Sequence, residues 1–157
     1  MNKSKQDALG HTLLIVEDDV LSAIDLKEEL EGAGFTVMDL TSHPHEARAA
    51  ALAGKPDLAL VNIELHGRDD GVDLAREFKD MDIPVLFISG QISRARTART
   101  VAVGSLPKPY HPRDMVLAVR YLLAHLDGDD SLPKPSNLEV FEDEVDDTGP
   151  EASPAAV

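Results

Sequence analysis

Polar residues stand directly after four short apolar runs of this sequence. They are, in chain order, Glu17, Asp18, Asn62, Glu64, Ser89, Gly90 and Lys108. Clustered carboxylates without histidine or cysteine suit a hard, oxygen-preferring cation such as Mg²⁺. A lysine and a hydroxyl that face the same cation suit the oxygens of a phosphoryl group. The residue types therefore indicate phosphoryl-transfer chemistry, in which positioning and charge neutralisation do most of the work.

The elements that must position these residues alternate between strand and helix. Short apolar runs predict buried strands, and longer stretches with helical spacing predict helices. The predicted strands are 13–16, 36–40, 58–61, 85–88 and 105–107, and the predicted helices are 20–31, 46–53, 71–79, 93–102 and 114–125. This alternation predicts a doubly wound α/β fold, with a five-stranded parallel sheet and helices on both faces. In such sheets ligands bind beyond the carboxyl ends of the strands, where the polar residues above would meet.

Composition excludes several classes of protein. The chain has 157 residues, a formal net charge of −14 and no cysteine, so disulfides, thiolate metal sites and thiol nucleophiles are excluded. No apolar segment approaches the length of a secretory h-region or a membrane span, so we expect a cytoplasmic protein without a membrane partner. So acidic a chain should repel nucleic acid, because non-specific binding depends on Lys and Arg neutralising phosphates.

The sequence divides into three segments. We predict a disordered N-terminus at 1–10, one domain at 11–127 and a disordered acidic, proline-containing tail at 128–157. The tail carries nine Asp or Glu residues against one Lys. An apolar patch at 138–141, Leu-Glu-Val-Phe, interrupts the acidic residues. It is either a chance cluster in a mobile tail or a segment that docks on a partner or back on the domain.

Four stretches together resemble the receiver domain of response regulators in two-component signalling. They are LLIVEDDV, PDLALVNIELHGRDDGVDLAREF, IPVLFISG and SLPKPY, and the resemblance covers roughly residues 12–126. It implies a flavodoxin-like sheet with strand order 2-1-3-4-5. It also implies a cis peptide between Lys108 and Pro109.

The resemblance assigns a role to each polar residue. Glu17 and Asp18 match the metal-binding acids, and the backbone carbonyl of Glu64 would be a further Mg²⁺ ligand. Ser89 matches the hydroxyl that senses the phosphoryl group, Gly90 the small residue beside it, and Lys108 the family's lysine. Asn62 falls where the family has its phosphoacceptor aspartate.

An amide at that position changes the expected chemistry. A carboxylate oxygen can attack phosphorus and form an acyl phosphate, whereas an amide oxygen is a poor nucleophile. Asn62 keeps one oxygen that can touch a cation, but the site loses a negative charge, so Mg²⁺ should bind weakly or not at all. Three explanations stay open: a natural pseudo-receiver, an engineered acceptor-dead form of an ordinary regulator or phosphorelay shuttle, and phosphate on a neighbour such as Glu64 or Asp19.

Two further departures from the family's pattern occur, and only the first bears on output. Ser105 stands three residues before the lysine, where the family usually has an aromatic residue that swings inward, and Tyr110 is interpreted as a packing residue. The loop at 68–71 is one residue longer than is usual in the family, and His66 replaces a common proline. A metal site made of His43, His45, His66 and His111 is disfavoured.

The expected output is a protein contact, because no DNA-binding or catalytic domain follows residue 127. The resemblance implies a partner surface on the fourth helix, fifth strand and fifth helix, with the residues Arg94, Arg96, Arg99, Leu117 and Tyr121. Partners would be a histidine kinase, a phosphotransfer protein or another signalling protein, and the same face could form a homodimer. The acidic tail could fold onto the arginine-rich helix and compete with a partner.

The leading interpretation is a stand-alone receiver that signals without accepting phosphate. An enzyme on a flavodoxin-like fold, such as a phosphatase, is the alternative from another class. No acid stands at residue 62 as a nucleophile and no histidine at a strand end as a base, so the sequence predicts no enzyme activity.

Overall fold

The computed structural model describes residues 10–68 and 70–142. Its strands are β1 (Thr12–Val16), β2 (Thr36–Thr41), β3 (Leu58–Asn62), β4 (Val85–Ser89), β5 (Gly104–Pro107) and β6 (Glu139–Val140). Its helices are α1 (Val20–Gly32), α2 (Pro44–Ala53), α3 (Asp70–Asp80), α4 (Ile92–Thr97) and α5 (Pro112–Leu126), with one 3₁₀ turn at Arg99–Val101.

The strands form one sheet in the order β2-β1-β3-β4-β5-β6. The first five are parallel, and β6 pairs antiparallel with the edge of β5. The predicted doubly wound fold and the strand order 2-1-3-4-5 are therefore confirmed, with one additional strand. The Lys108–Pro109 peptide is cis, as the resemblance implies.

Helices cover both faces of the sheet, which explains the unbroken apolar strands. Leu13 and Ile15 of β1 point into a core layer shared with α1 and α5. Leu14 and Val16 point into the opposite layer, shared with α2, α3 and α4. Because successive side chains of a strand face opposite sides, a strand buried on both sides must be apolar throughout.

The helix predicted at 93–102 is wrong in its length. The α-helix ends at Thr97, and Ala98 leaves the helical backbone with φ −100° and ψ 21°. The Thr97 hydroxyl donates a hydrogen bond to Ser93 O at 2.9 Å. β-Branched residues at 97, 100 and 101 and this side-chain-to-backbone bond both weaken a continuous helix.

The first part of the tail differs from the predicted disorder, and the structure bears out the alternative in which the patch at 138–141 docks back on the domain. Residues 128–142 are described in the structure, and their apolar patch pairs with β5 through Glu139 and Val140. Leu138 is only 2% exposed and joins the core layer beneath α5. Burying a leucine stabilises by about 1.5–3 kcal/mol, which here outweighs the acidic composition that predicted disorder. Residues 143–157, and the predicted disordered N-terminus apart from Gly10, lie outside the described residues.

Candidate functional site

The predicted polar residues meet in one cavity at the carboxyl edge of the strands. Its volume is about 370 Å³, and its lining includes Glu17, Asp18, Asp19, Asn62, Glu64, Ser89, Gly90 and Lys108. Neighbouring parallel strands end at the same edge, so residues far apart in sequence converge there.

The end of β1 delivers two carboxylates, Glu17 and Asp18, in different environments. Glu17 is 2% exposed, and its Oε2 accepts a hydrogen bond of 3.0 Å from the backbone N–H of Asp19. Asp19 begins α1 as its N-cap, with its carboxylate accepting from the N–H and the hydroxyl of Ser22. Capping fixes the chain where β1 turns into α1, and thereby fixes the acid pair.

The side-chain amide of Asn62 lies between the two carboxylates. Its Nδ2 donates to Glu17 Oε2 at 3.2 Å and to Asp18 Oδ1 at 3.1 Å. The residue is 4% exposed, so these bonds form largely out of water. Each N–H places a partial positive charge on one carboxylate, which is the electrostatic task of a bound cation in a cluster of acids.

Lys108 approaches Glu17 from the other side. Its Nζ lies 3.3 Å from Glu17 Oε1, an oxygen that accepts no hydrogen bond of good geometry among the described residues. Burial raises the pKa of Glu17, and the nearby Lys108 charge partly offsets that rise. The ammonium therefore favours the ionised form of the buried carboxylate by its charge rather than by a well-aligned hydrogen bond.

The pKa of Asp18 shifts in the opposite direction to that of Glu17. Burial alone would raise the pKa of Asp18, but hydrogen bonds lower it overall. The largest of these comes from the backbone N–H of His66, which donates to Asp18 Oδ2 at 3.0 Å. When the acid pair binds one proton, Glu17 therefore holds it and Asp18 stays ionised.

Ser89 and Gly90 line the cavity at the end of β4. The Ser89 hydroxyl donates to Gln91 O at 3.1 Å and accepts from Gln91 N–H at 2.8 Å. Both roles of the hydroxyl are thus used in the turn that follows β4. The backbone N–H of Lys108 donates to Ser89 O at 2.8 Å, which joins the ends of β4 and β5 beside the cavity.

Comparison of the sequence with models of protein families shows which family the chain belongs to. The model of the response regulator receiver domain matches residues 13–120. The chain belongs to the receiver domain family. Receiver domains are modules of two-component signalling, usually without enzyme activity of their own.

Relatives of this receiver domain are regulatory proteins of about twice the matched length. It is 30% identical over 120 residues to the uncharacterised transcriptional regulatory protein YbdJ of Bacillus subtilis, covering 74% of this chain and 52% of the relative. It is 30% identical over 114 residues to the phyllosphere-induced regulator PhyR of Methylorubrum extorquens, covering 71% and 43%. The chain thus spans about half the length of the curated relatives it matches.

Solved structures show the same fold. The signal receiver domain of a modulated diguanylate cyclase from Desulfovibrio desulfuricans matches with a TM-score of 0.63 and 32% identity, covering 74% of this chain and 94% of that chain. Among the residues that the structure describes, no helix of this receiver domain is long and apolar enough to cross a membrane.

The donor set of this receiver domain suits Mg²⁺ poorly. The two carboxylates are of the right chemical type, but both direct an oxygen at the Asn62 amide. Within the described residues no group of three or more His, Cys, Asp and Glu side chains could hold a metal ion. A cation there would first have to displace the amide N–H₂ group, so we derive no step through a bound metal.

The residues of the predicted partner surface differ in their exposure and in their contacts within the chain. Arg96 of α4 donates to Glu139 of β6, and Arg99 lines a second cavity at the opposite edge of the sheet. Leu117 of α5 is 47% exposed, whereas Tyr121 is half-buried and stacks on His125. Arg94 is half-buried and also interacts within the chain. Met115 and Leu123 of α5 are buried and cannot contribute to this surface.

Two contributors to the site escaped the sequence analysis. His66 adopts a positive φ of 53°, which turns its backbone N–H toward Asp18, while its ring stacks on His43. Tyr110 lines a neighbouring cavity together with Glu17 and Asp19, and burial, with the charges of these two acids, raises its pKa to about 12. The only sequence signal for His66 was its place in a loop rich in glycine and polar residues.

Proposed function

We propose that this receiver domain signals through protein contacts without accepting a phosphoryl group, as a pseudo-receiver. The observation that carries the proposal is the Asn62 amide, whose Nδ2 donates to both Glu17 and Asp18. An amide cannot form the acyl phosphate that a carboxylate forms. The residue at the phosphoacceptor position therefore closes the site instead of reacting in it.

Neighbouring carboxylates are poor substitutes for the missing acceptor. Asp19 uses its carboxylate to cap α1 through Ser22. Glu17 is buried and paired with Lys108. Glu64 is exposed at the rim of the cavity. None of these three described carboxylates thus combines exposure with a position fixed against the lysine and the hydroxyl.

Mg²⁺ is not required for this state. The amide and the Lys108 ammonium supply positive charge to the acid pair. If Mg²⁺ were bound, Glu17, Asp18, the Asn62 oxygen and the backbone carbonyl of Glu64 would hold it, and its affinity would be weak because the Asn62 amide would have to turn its oxygen toward the ion.

The partners that fit a receiver domain of this kind are signalling proteins. We propose a histidine kinase, a phosphotransfer protein or another signalling protein, bound in the cytoplasm, with homodimer formation through the α4–β5–α5 face as the competing use of that surface. The acidic charge disfavours nucleic acid as a partner. The protein would titrate or scaffold its partner and catalyse no reaction.

A second candidate function is an ordinary phosphate-accepting regulator or phosphorelay shuttle in an acceptor-dead form. Its support is the retained machinery: the acid pair, the Ser89 hydroxyl and Lys108 all line the cavity. In that case, restoring the carboxylate at residue 62 would suffice for phosphorylation.

Intact-mass measurement after incubation with Mg²⁺ and a small phosphodonor tests the proposal. The wild-type chain should show no added phosphoryl group, and the Asn62→Asp variant should gain one if the rest of the site is competent. Asn62→Ala is the matched control, since it removes the amide without supplying an acceptor. A phosphoryl group on the wild-type chain would overturn the proposal and point to a neighbouring acceptor.

A further inference from the structure

The edge of β5 is covered by a short segment of the same chain. Residues 138–141, here called the strap, run antiparallel to β5 with Val140 opposite Gly104 and Glu139 opposite Ser105. The Phe141 N–H donates to Val103 O at 2.9 Å. The strap thus satisfies backbone groups that would otherwise form an open sheet edge, which is a template for pairing with another chain.

Side chains of the strap alternate between the two faces of the sheet. Leu138 and Val140 pack into the core layer beneath α5. Phe141 packs on the opposite layer, with the residues around α4. Glu139 accepts hydrogen bonds from Arg96 Nε at 2.9 and 3.1 Å. The β5 edge therefore fits an extended segment whose side chains follow the order apolar, acidic, apolar and aromatic.

Gly104 provides the space for this approach. A Cβ on Gly104 would lie 2.7 Å from Glu139 O and 3.7 Å from Leu138 Cδ1. Its φ lies outside the left-handed region, so the backbone of β5 does not itself require glycine. A glycine within a strand often marks the close approach of another backbone. At residue 104 the approaching backbone is the strap.

The strap makes few contacts with the β5 edge and depends on its covalent connection to the domain to stay there. Only two of its residues form the paired strand, and its ion pair is solvent-exposed, with the Arg96 side chain 63% and the Glu139 side chain 39% exposed. Exposed pairs of this kind contribute little free energy. Most of its occupancy must come from Leu138 and from the high effective concentration that a short covalent linker provides.

We propose that the β5 edge is a strand-addition site for an extended segment of a partner protein, and that the strap covers it in the free chain. The partner segment carries the order apolar, acidic, apolar, aromatic, because the edge already accepts that order from the strap. Strand addition gives affinity through the backbone and specificity through alternate side chains. The proposal does not depend on the chemistry at Asn62, since strap and cavity share no hydrogen bond among the described residues.

A peptide with the sequence of residues 136–142, SNLEVFE, is the probe. Its binding is measured by fluorescence anisotropy to the full chain and to a full-chain variant with Leu138→Asp and Val140→Asp, whose strap cannot dock. The variant should bind the peptide at least about 10-fold more tightly, because the tethered competitor is gone. A matched peptide with Leu138→Asp should not bind. Equal affinity for both chains, or equal binding of both peptides, would overturn the proposal.

Gly104→Val tests the site itself. Added to the strap variant, it should abolish peptide binding, because its side chain meets the incoming backbone. In the otherwise wild-type chain it should increase amide exchange at Phe141. Gly32→Ala is the control, since a Cβ there meets nothing within 4 Å. Peptide binding that survives Gly104→Val would place the peptide elsewhere and contradict the proposal.

Arg96→Glu keeps the proposal testable if the strap variant does not fold. At low salt, this exposed change should make the chain prefer a peptide with Glu139→Lys over the native peptide, because Arg96 pairs with Glu139. An unchanged preference would contradict the proposed pairing. The strap could instead dock on the β5 edge of a second copy, and sedimentation velocity distinguishes this arrangement. The wild-type chain should be monomeric. A concentration-dependent dimer that is lost in the strap variant would show that the strap docks on a second copy, and it would overturn the proposal that the strap covers the edge of its own chain.

Discussion

Asn62 Nδ2 lies 3.2 Å from Glu17 Oε2, which makes the residue at the proposed phosphoacceptor position a hydrogen-bond donor to the buried acid of the neighbouring strand. The same nitrogen reaches Asp18 Oδ1. An aspartate at residue 62 could donate nothing in its ionised form and would add a third negative charge. The amide therefore changes both the reactivity and the resting electrostatics of the cavity.

The first prediction concerns stability without a divalent cation. Asn62→Asp should lower the free energy of unfolding by about 1–3 kcal/mol, because it replaces two hydrogen bonds to carboxylates by repulsion among carboxylates. Urea denaturation in the presence of a chelator measures this loss, and Mg²⁺ should restore much of it. Asn62→Ala should lose stability without recovery by Mg²⁺. An Asp variant as stable as the wild-type chain in chelator would contradict the account.

The second prediction is a pH dependence that follows from Lys108. Lys108→Met removes a charge that lowers the pKa of Glu17, so the pKa, already raised by burial, rises further. A carboxyl with a raised folded-state pKa contributes full stability below its unfolded pKa and loses it as the pH rises through the folded pKa. The melting temperature of the variant should therefore fall relative to wild type as the pH rises from the ordinary glutamate pKa of about 4 through the raised pKa of Glu17.

The exposed lysine of the Lys27–Glu31 pair supplies the control for that experiment. Lys27→Met should show no comparable trend, since its partner is solvated. Combining Lys108→Met with Glu17→Gln should remove the trend, because the titrating group is gone. A difference between Lys108→Met and wild type that is constant over this pH range would refute the assignment to Glu17.

The third prediction concerns the packing of α3 against the end of β3. A Cβ on Gly71 would lie 2.2 Å from Asn62 O and 2.7 Å from Ile63 Cα. These atoms belong to the backbone that carries the amide, so they cannot move without moving the site. Gly71→Ala should reduce the free energy of unfolding by about 1–3 kcal/mol or more. Gly32→Ala is the matched change with open space, and comparable denaturation curves for the two variants would rule out the predicted clash.

The fourth prediction uses the two tyrosines of the chain. Burial, followed by the charges of Glu17 and Asp19, raises the pKa of Tyr110 to about 12. Phenolate absorbance, measured after rapid jumps to a series of alkaline pH values, should rise in a step near a pH of about 12. Tyr110→Phe should remove this step. Loss of the step in Tyr121→Phe instead would show that Tyr110 is not the buried phenol.

The sequence predicted the arrangement of the sheet because burial on both faces leaves a strong local pattern. Short, continuous apolar runs such as LLIV and VLFI are typical of strands that are buried on both faces of a parallel sheet. Parallel strands then bring their following residues to one edge, which is why the sequence alone predicts that Glu17, Asn62 and Lys108 lie together. The direction of the Asn62 amide could not be predicted, because it depends on how the side chain at the end of β3 meets Glu17 and Asp18, which follow β1.

Two other features lay beyond sequence reasoning. In α1 the apolar residues Leu21 and Ile24 match helical spacing, yet they are 75% and 40% exposed. The core-facing positions are Ala23, Leu26 and Leu30. Two adjacent apolar stripes on one helix cannot be separated by periodicity alone. For the tail, the sequence could not decide between a chance apolar cluster at 138–141 and docking back on the domain, because docking depends on the space beside Gly104 of β5.

Titration calorimetry with Mg²⁺ tests the central claim most directly: the Asn62 amide neutralises the acid pair in place of a cation. The wild-type chain should bind Mg²⁺ at least about 10-fold more weakly than Asn62→Asp, a difference of about 1.4 kcal/mol in binding free energy. Equal affinities for Mg²⁺ in the two proteins would contradict the account.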